Sequence, residues 1–135
     1  MRSMAETQLH AGVAVTLIVQ AANDSIQFAR LQTTAVAGRI GFDYDAIEDV
    51  RIAVSELCGA VIACASPTSE LRLDISGDAS TLAVTGRASL APGASLERDE
   101  LSDQVLNVVT DDYGYDVTDG VVSFHMTRSA RADGE

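Results

Sequence analysis

The sequence predicts an α+β fold, a two-layer sandwich with three helices on one face of a mostly antiparallel sheet. Three observations carry that expectation. Apolar spacing is helical between residues 26 and 65 and alternating between residues 71 and 84, with the change of period after Pro67. Two turn signals, SGDAST at 76 to 81 and Asp119-Gly120, each separate a pair of alternating runs, as hairpin turns do. The resulting order is strand, helix, helix, strand, strand, helix, strand, strand, without internal repeats.

The elements follow in turn. MRSMAETQLHAG, residues 1 to 12, shows no periodicity and reads as a flexible N-terminal tail. VAVTLIVQA, 13 to 21, is short and rich in β-branched residues, which suits a strand. Asn23, Asp24 and Ser25 offer N-cap side chains to a first helix. Ile26, Ala29, Thr33, Val36 or Ala37, and Ile40 follow at helical spacing, and Gly41 supplies the stop. Asp43 or Asp45 can cap a second helix whose inward stripe is Ile47, Val50, Val54, Leu57, Cys58, Val61 and Ala65, ended by SPTS with Pro67. Leu71, Leu73 and Ile75 alternate, as do Leu82 and Val84, giving a hairpin. RASLAPGASLERD, from Arg87 to Asp99, is read as a loop. ELSDQVLNVVTDD is expected to form a third, shorter helix with Leu101, Val105, Val108 and Val109 inward. YGYDVTDGVVSFHMT holds two more alternating runs about a type I′ turn signal. One domain is expected over residues 13 to 128, followed by a disordered tail at 129 to 135.

Composition narrows the chemistry. With 135 residues, 47% of them hydrophobic, the chain is long enough for one real core and too short for two ordinary domains. No run approaches the roughly 18 apolar residues that span a bilayer, and no basic segment leads into a signal core, so a cytoplasmic protein without membrane contact is expected. Nine basic residues against twenty acidic ones give a net charge of −11, which argues against direct binding to a nucleic-acid backbone. All nine cations are arginines; the absence of lysine removes Schiff-base chemistry and any P-loop. His10 and His125 are too few for a His-rich metal site or a His-assisted nucleophile. Cys58 and Cys64 stand six residues apart, about 120° around one helix, and read as buried core thiols. TDDYGYDVTDG contains four acids but lacks the glycine and closing glutamate of a calcium loop, so these are turn acids.

The informative stretch is DVRIAVSELCGAVIACA, residues 49 to 65. At 100° per residue, Asp45, Asp49, Ile52, Glu56, Gly59, Ala60 and Ala63 share the face opposite the core stripe. A solvated face would carry long charged residues to its end, whereas this one fades into small side chains. Something is expected to cover part of it.

From Val13 to Thr127 the chain resembles the ATP-binding domain of the GHKL superfamily, whose Bergerat-like sandwich has this element order, and most closely the small bacterial anti-sigma-factor serine kinases. DAIEDVRIAVSELCGAVIACA resembles their first nucleotide-box helix, and SIQFARLQTTAVAGRIGFD resembles the helix before it and the turn that follows. In that family a glutamate polarises the attacking hydroxyl or water, and an asparagine four residues on helps hold the magnesium. Glu56 matches the first position; Ala60 stands at the second and offers no oxygen. The family's Asp-x-Gly-x-Gly turn is replaced by TGRASLAPG, with Arg87 or Ala88 where the adenine-binding acid belongs. The glycine-rich lid is matched only by the acidic ERDELSDQVLN. The resemblance therefore implies a degenerate nucleotide site, with Glu56 the remnant of a general base, no cofactor and no metal. An ordinary exposed glutamate, or a base that still works, are the other readings of Glu56. The function implied is a non-catalytic regulatory module whose partner is a sigma factor or an anti-sigma antagonist. The alternatives are an active serine kinase using ATP and magnesium, or a small-molecule binder with a cleft lined by Ile52, Gly59, Ala60 and Ala63. Pairing as a homodimer through Val13 to Ile40 is a further implication of the resemblance.

Overall fold

The computed structural model describes residues 12–130. Of the tails expected at 1 to 12 and 129 to 135, residues 1–11 and 131–135 lie outside the described residues. β1 (Val13–Gln20) leads through a 3-10 turn at Asn23–Ser25 into α1 (Ile26–Arg39) and α2 (Tyr44–Cys64). The hairpin β2 (Glu70–Gly77) and β3 (Thr81–Ser89) follows, then α3 (Glu100–Val109), β4 (Asp112–Thr118) and β5 (Val121–Ser129). The sheet order is β1-β2-β3-β5-β4, and every neighbouring pair is antiparallel. The fold is thus the expected α+β sandwich, with a sheet that is antiparallel throughout.

Register explains why only one face is covered. Leu73 pairs with Gly86, Ile75 with Val84, Val84 with Met126 and Ala88 with Val122, so the inward residues of the three central strands form one buried sheet surface. α2 lies on it through Val50, Val54, Leu57, Cys58 and Val61, all fully buried. Interlocked apolar packing of this kind is the main source of the fold's stability. Gln20, Thr85 and Ser123 alternate outward, and among the described residues no element covers the other sheet face.

Local signals mostly act as their chemistry suggests. The Asp43 carboxylate accepts the Ala46 N–H at 2.9 Å and caps α2, Gly41 takes φ +95° after α1, and Asp119 and Gly120 adopt the positive φ of a type I′ turn. Four expectations are corrected. Ser25 makes no side-chain cap; the chain enters α1 through the 3-10 turn, and Ser25 is buried. The strand β3 runs to Ser89, so Arg87 and Ala88 are not loop residues. In α3 the buried residues are Leu106 and Val109, while Leu101 is 67% exposed and Val108 80% exposed. β5 also extends through Ser129.

Candidate functional site

Glu56 projects from α2 toward α3, beside a cleft of about 320 Å3. Ser55, Glu56, Gly59 and Ala60 form one wall; Glu97, Arg98, Asp99, Ser102 and Asp103 form the other, and Tyr115 of β4 contributes the floor. The helical period that brings Glu56, Gly59 and Ala60 to one face therefore does create a covered surface, and α3 with its leading loop is the cover. Ala60 faces the cleft with a methyl group.

Ser102 joins the two walls. Its hydroxyl donates to Glu56 Oε1 at 2.7 Å, and its backbone N–H donates to the Asp99 carboxylate at 3.1 Å. The first position is a charge-assisted bond across 46 residues of chain, and the second is the N-cap of α3. A cluster at the cleft mouth holds the loop down. Arg98 pairs with Asp103 at 3.0 Å, and its guanidinium lies 4.9 Å from the Tyr115 ring centroid. Tyr113 donates its hydroxyl to Asp103 Oδ1 at 2.8 Å and meets Tyr115 edge-on. The hydrogen bond from Arg98, aided by that from Tyr113, holds the Asp103 carboxyl below its ordinary range. Burial pushes the Tyr115 phenol up to about 12.

The residues singled out in the sequence divide between two places. Glu56 and Ala60 share the cleft, whereas Ala88 is buried in the core between sheet and helices, and Arg87 points outward from the opposite sheet face beside Arg72, Thr85 and His125. Ile52 and Ala63, expected to line the cleft, are exposed residues that do not border it. Sequence reasoning missed Arg98, Ser102, Asp103, Tyr113 and Tyr115. The alternation of YGY carries a signal for the tyrosines, since a period of two places both on the helix side of β4. The placement of Ser102 against Glu56 had no sequence signal, because it depends on how α3 docks. Among the described residues, no group of three or more His, Cys, Asp or Glu side chains is arranged to hold a metal ion.

Comparison with known proteins bears on the fold. No family model matches the chain. A serine-protein kinase RsbW from Halalkalibacterium halodurans is 34% identical over 55 residues, which cover 41% of this chain and 34% of that protein. The serine-protein kinase RsbW of Listeria monocytogenes is 45% identical over 42 residues, covering 31% of this chain and 27% of that protein. The crystal structure of the RsbU and RsbW domains of Rv1364c from Mycobacterium tuberculosis matches 88% of this chain with a TM-score of 0.65 at 15% identity. The chain is RsbW-like. The matches span about a third or less of the length of these relatives, so the RsbW-like character is a statement of fold and of partial sequence likeness. No helix among the described residues is long and apolar enough to cross a membrane.

Proposed function

We propose that this RsbW-like chain is a non-catalytic regulatory module that has lost ATP binding and acts by holding a protein partner, a sigma factor or an antagonist of an anti-sigma factor. One observation carries the reading: Ser102 is satisfied by the protein's own acids, its N–H by Asp99 and its hydroxyl by Glu56. The N-terminus of a helix is where a phosphate would ordinarily be received, and here an internal carboxylate occupies it. Glu56, the residue matching the family's general base, is engaged as an acceptor, so an activating role would first require that bond to break.

The rest of the cleft is equally ill suited to a magnesium-triphosphate. Ala60 presents a methyl where a metal-binding oxygen is needed. Among the described residues, Glu56, Glu97, Asp99 and Asp103 line the space against a single cation, Arg98, which is already paired with Asp103. Like charges at this range repel polyphosphate with little to offset the repulsion. The residues present do not fit the nucleotide and metal that the fold class would imply. A competing reading, an active ATP-dependent serine kinase, draws on the retention of Glu56 in the cleft and on the likeness to relatives named serine-protein kinases.

A calorimetric titration of the full chain with Mg-ATP separates the two. A flat trace at millimolar nucleotide is expected. Saturable heat, with phosphate transferred to a serine substrate, would establish the kinase and remove the scaffold reading.

A further inference from the structure

The third helix has two apolar sides, and among the described residues only one of them is packed. Leu106 and Val109 are buried in the core, whereas Leu101 and Val108 stand 67% and 80% exposed, about two turns apart on the outward side with Gln104 between them. A helix that is already anchored by an N-cap and two core residues gains nothing from apolar side chains held in water. Isolated exposed apolar residues are common, but Leu101 and Val108 at i and i+7 on a ten-residue helix form a stripe.

The surroundings of the stripe state what it would accept. Between Glu97 and Asp119 the sequence carries the acids Glu97, Asp99, Glu100, Asp103, Asp111, Asp112, Asp116 and Asp119 against one base, Arg98. Arg98, half-exposed, is paired with Asp103 and lies against the tyrosines, so its charge is already engaged at the cleft mouth. Glu100 is exposed at one end of the stripe and Asp111, which accepts from the Ser129 N–H, at the other, whereas Asp112 pairs with His125 on the opposite sheet face. An apolar strip bounded at both ends by carboxylates is complementary to an amphipathic segment with an apolar face and flanking lysines or arginines. A second copy of this chain would bring the same acids to face these ones, and like charges across an interface are costly.

We propose that the outward face of α3, centred on Leu101 and Val108, is the docking surface for a basic amphipathic helix of a protein partner. The inference rests on the reading of the chain as a partner-holding module and names the surface that does the holding. Apolar burial supplies affinity, and the carboxylates at each end supply orientation and a fast, salt-sensitive association. Because α3 also forms one wall of the cleft, a bound partner would lie beside Glu56 and Ser102 without entering it.

The test uses the full chain, isotopically labelled, and a synthetic 18-residue peptide of leucine and lysine whose leucines repeat at i, i+3, i+4 and i+7. A scrambled peptide of identical composition measures the contribution of charge alone. Saturable amide shifts at Leu101, Gln104, Val105 and Val108 are expected, with the scrambled peptide binding at least tenfold more weakly. The Leu101→Gln/Val108→Gln double variant keeps the net charge, places good helix formers on an exposed face and should fold. It is expected to lose at least tenfold in affinity for the ordered peptide. Equal binding of both peptides, an unchanged affinity in the variant, or shifts centred on the outer sheet face would overturn the proposal. So would concentration-dependent dimerisation of the wild type that the double variant abolishes, since the face would then belong to a second copy. Mg-ATP binding in the separate titration would overturn the loss of nucleotide and leave the peptide result standing. A flat nucleotide trace with no peptide discrimination would overturn the surface alone.

Discussion

A Cβ atom at Gly86 would lie 2.3 Å from the Phe124 ring, which is 2% exposed and packs directly over the glycine it pairs with across β3 and β5. The space that a side chain would fill is already taken by the aromatic ring, and a core this well packed has little room for it to shift. Gly86→Ala should therefore destabilise the fold by about 2 kcal/mol, the usual cost of overpacking. The denaturant midpoint reads this out at constant slope; a midpoint equal to wild type would show that the ring has another rotamer open to it. The same scale shows what single residues reveal before a structure exists. Glu56 and Ala60 could be placed on one face because four residues are about one helical turn. Arg87 and Ala88 could not be separated as long as they were assigned to a loop; once they belong to a strand, alternation sends one to each side of the sheet.

At the scale of elements, α3 shows where sequence pattern stops deciding. Leu101, Val105, Leu106, Val108 and Val109 fill half of its ten positions, and two stripes about 100° apart satisfy a helical period equally well. The choice between them is made by Asp99 capping the helix and by Ser102 reaching Glu56, which fix the rotation of α3 on α2. Long helices with a single stripe, such as α2, and hairpins with an Asp-Gly turn leave no such ambiguity, and both were legible. The loop before α3 is held to β4 by Arg98, Asp103, Tyr113 and Tyr115, and this contact should depend on pH at both ends of the scale. Asp103 has a lowered folded pKa, so its stabilisation is complete above the unfolded value near 3.9 and is lost as pH falls through the folded one. Tyr115 has a raised folded pKa of about 12. Its stabilisation is complete below the unfolded value near 10 and is lost as pH rises toward the folded one. Thermal unfolding followed across pH should show a plateau that declines below about pH 4 and above about pH 10, in line with these ordinary values. Tyr115→Phe should remove the absorbance change of the late-ionising phenol; persistence of that change would assign it to another tyrosine.

Over the whole molecule, a helical layer on one face leaves the sheet's other face bare and encloses both cysteines on the covered side. Cys58 lies fully within the core, its thiol pushed up to about 12 by burial, and Cys64 is 4% exposed with its thiol also raised by burial. Only a thiolate reacts rapidly with disulfide reagents, and neither group can supply one in the folded state. Ellman's reagent should therefore titrate no thiol in the native protein and two after unfolding in guanidinium; rapid native reaction of either would mean that α2 opens locally. The closure of these two sulfurs makes the protein a clean host for single-site chemistry. A cysteine introduced at Ser123, on the open side of the sheet and away from the acidic helix, would be the lone target for a maleimide dye or a solid support, and would leave every surface proposed for a partner turned toward solution.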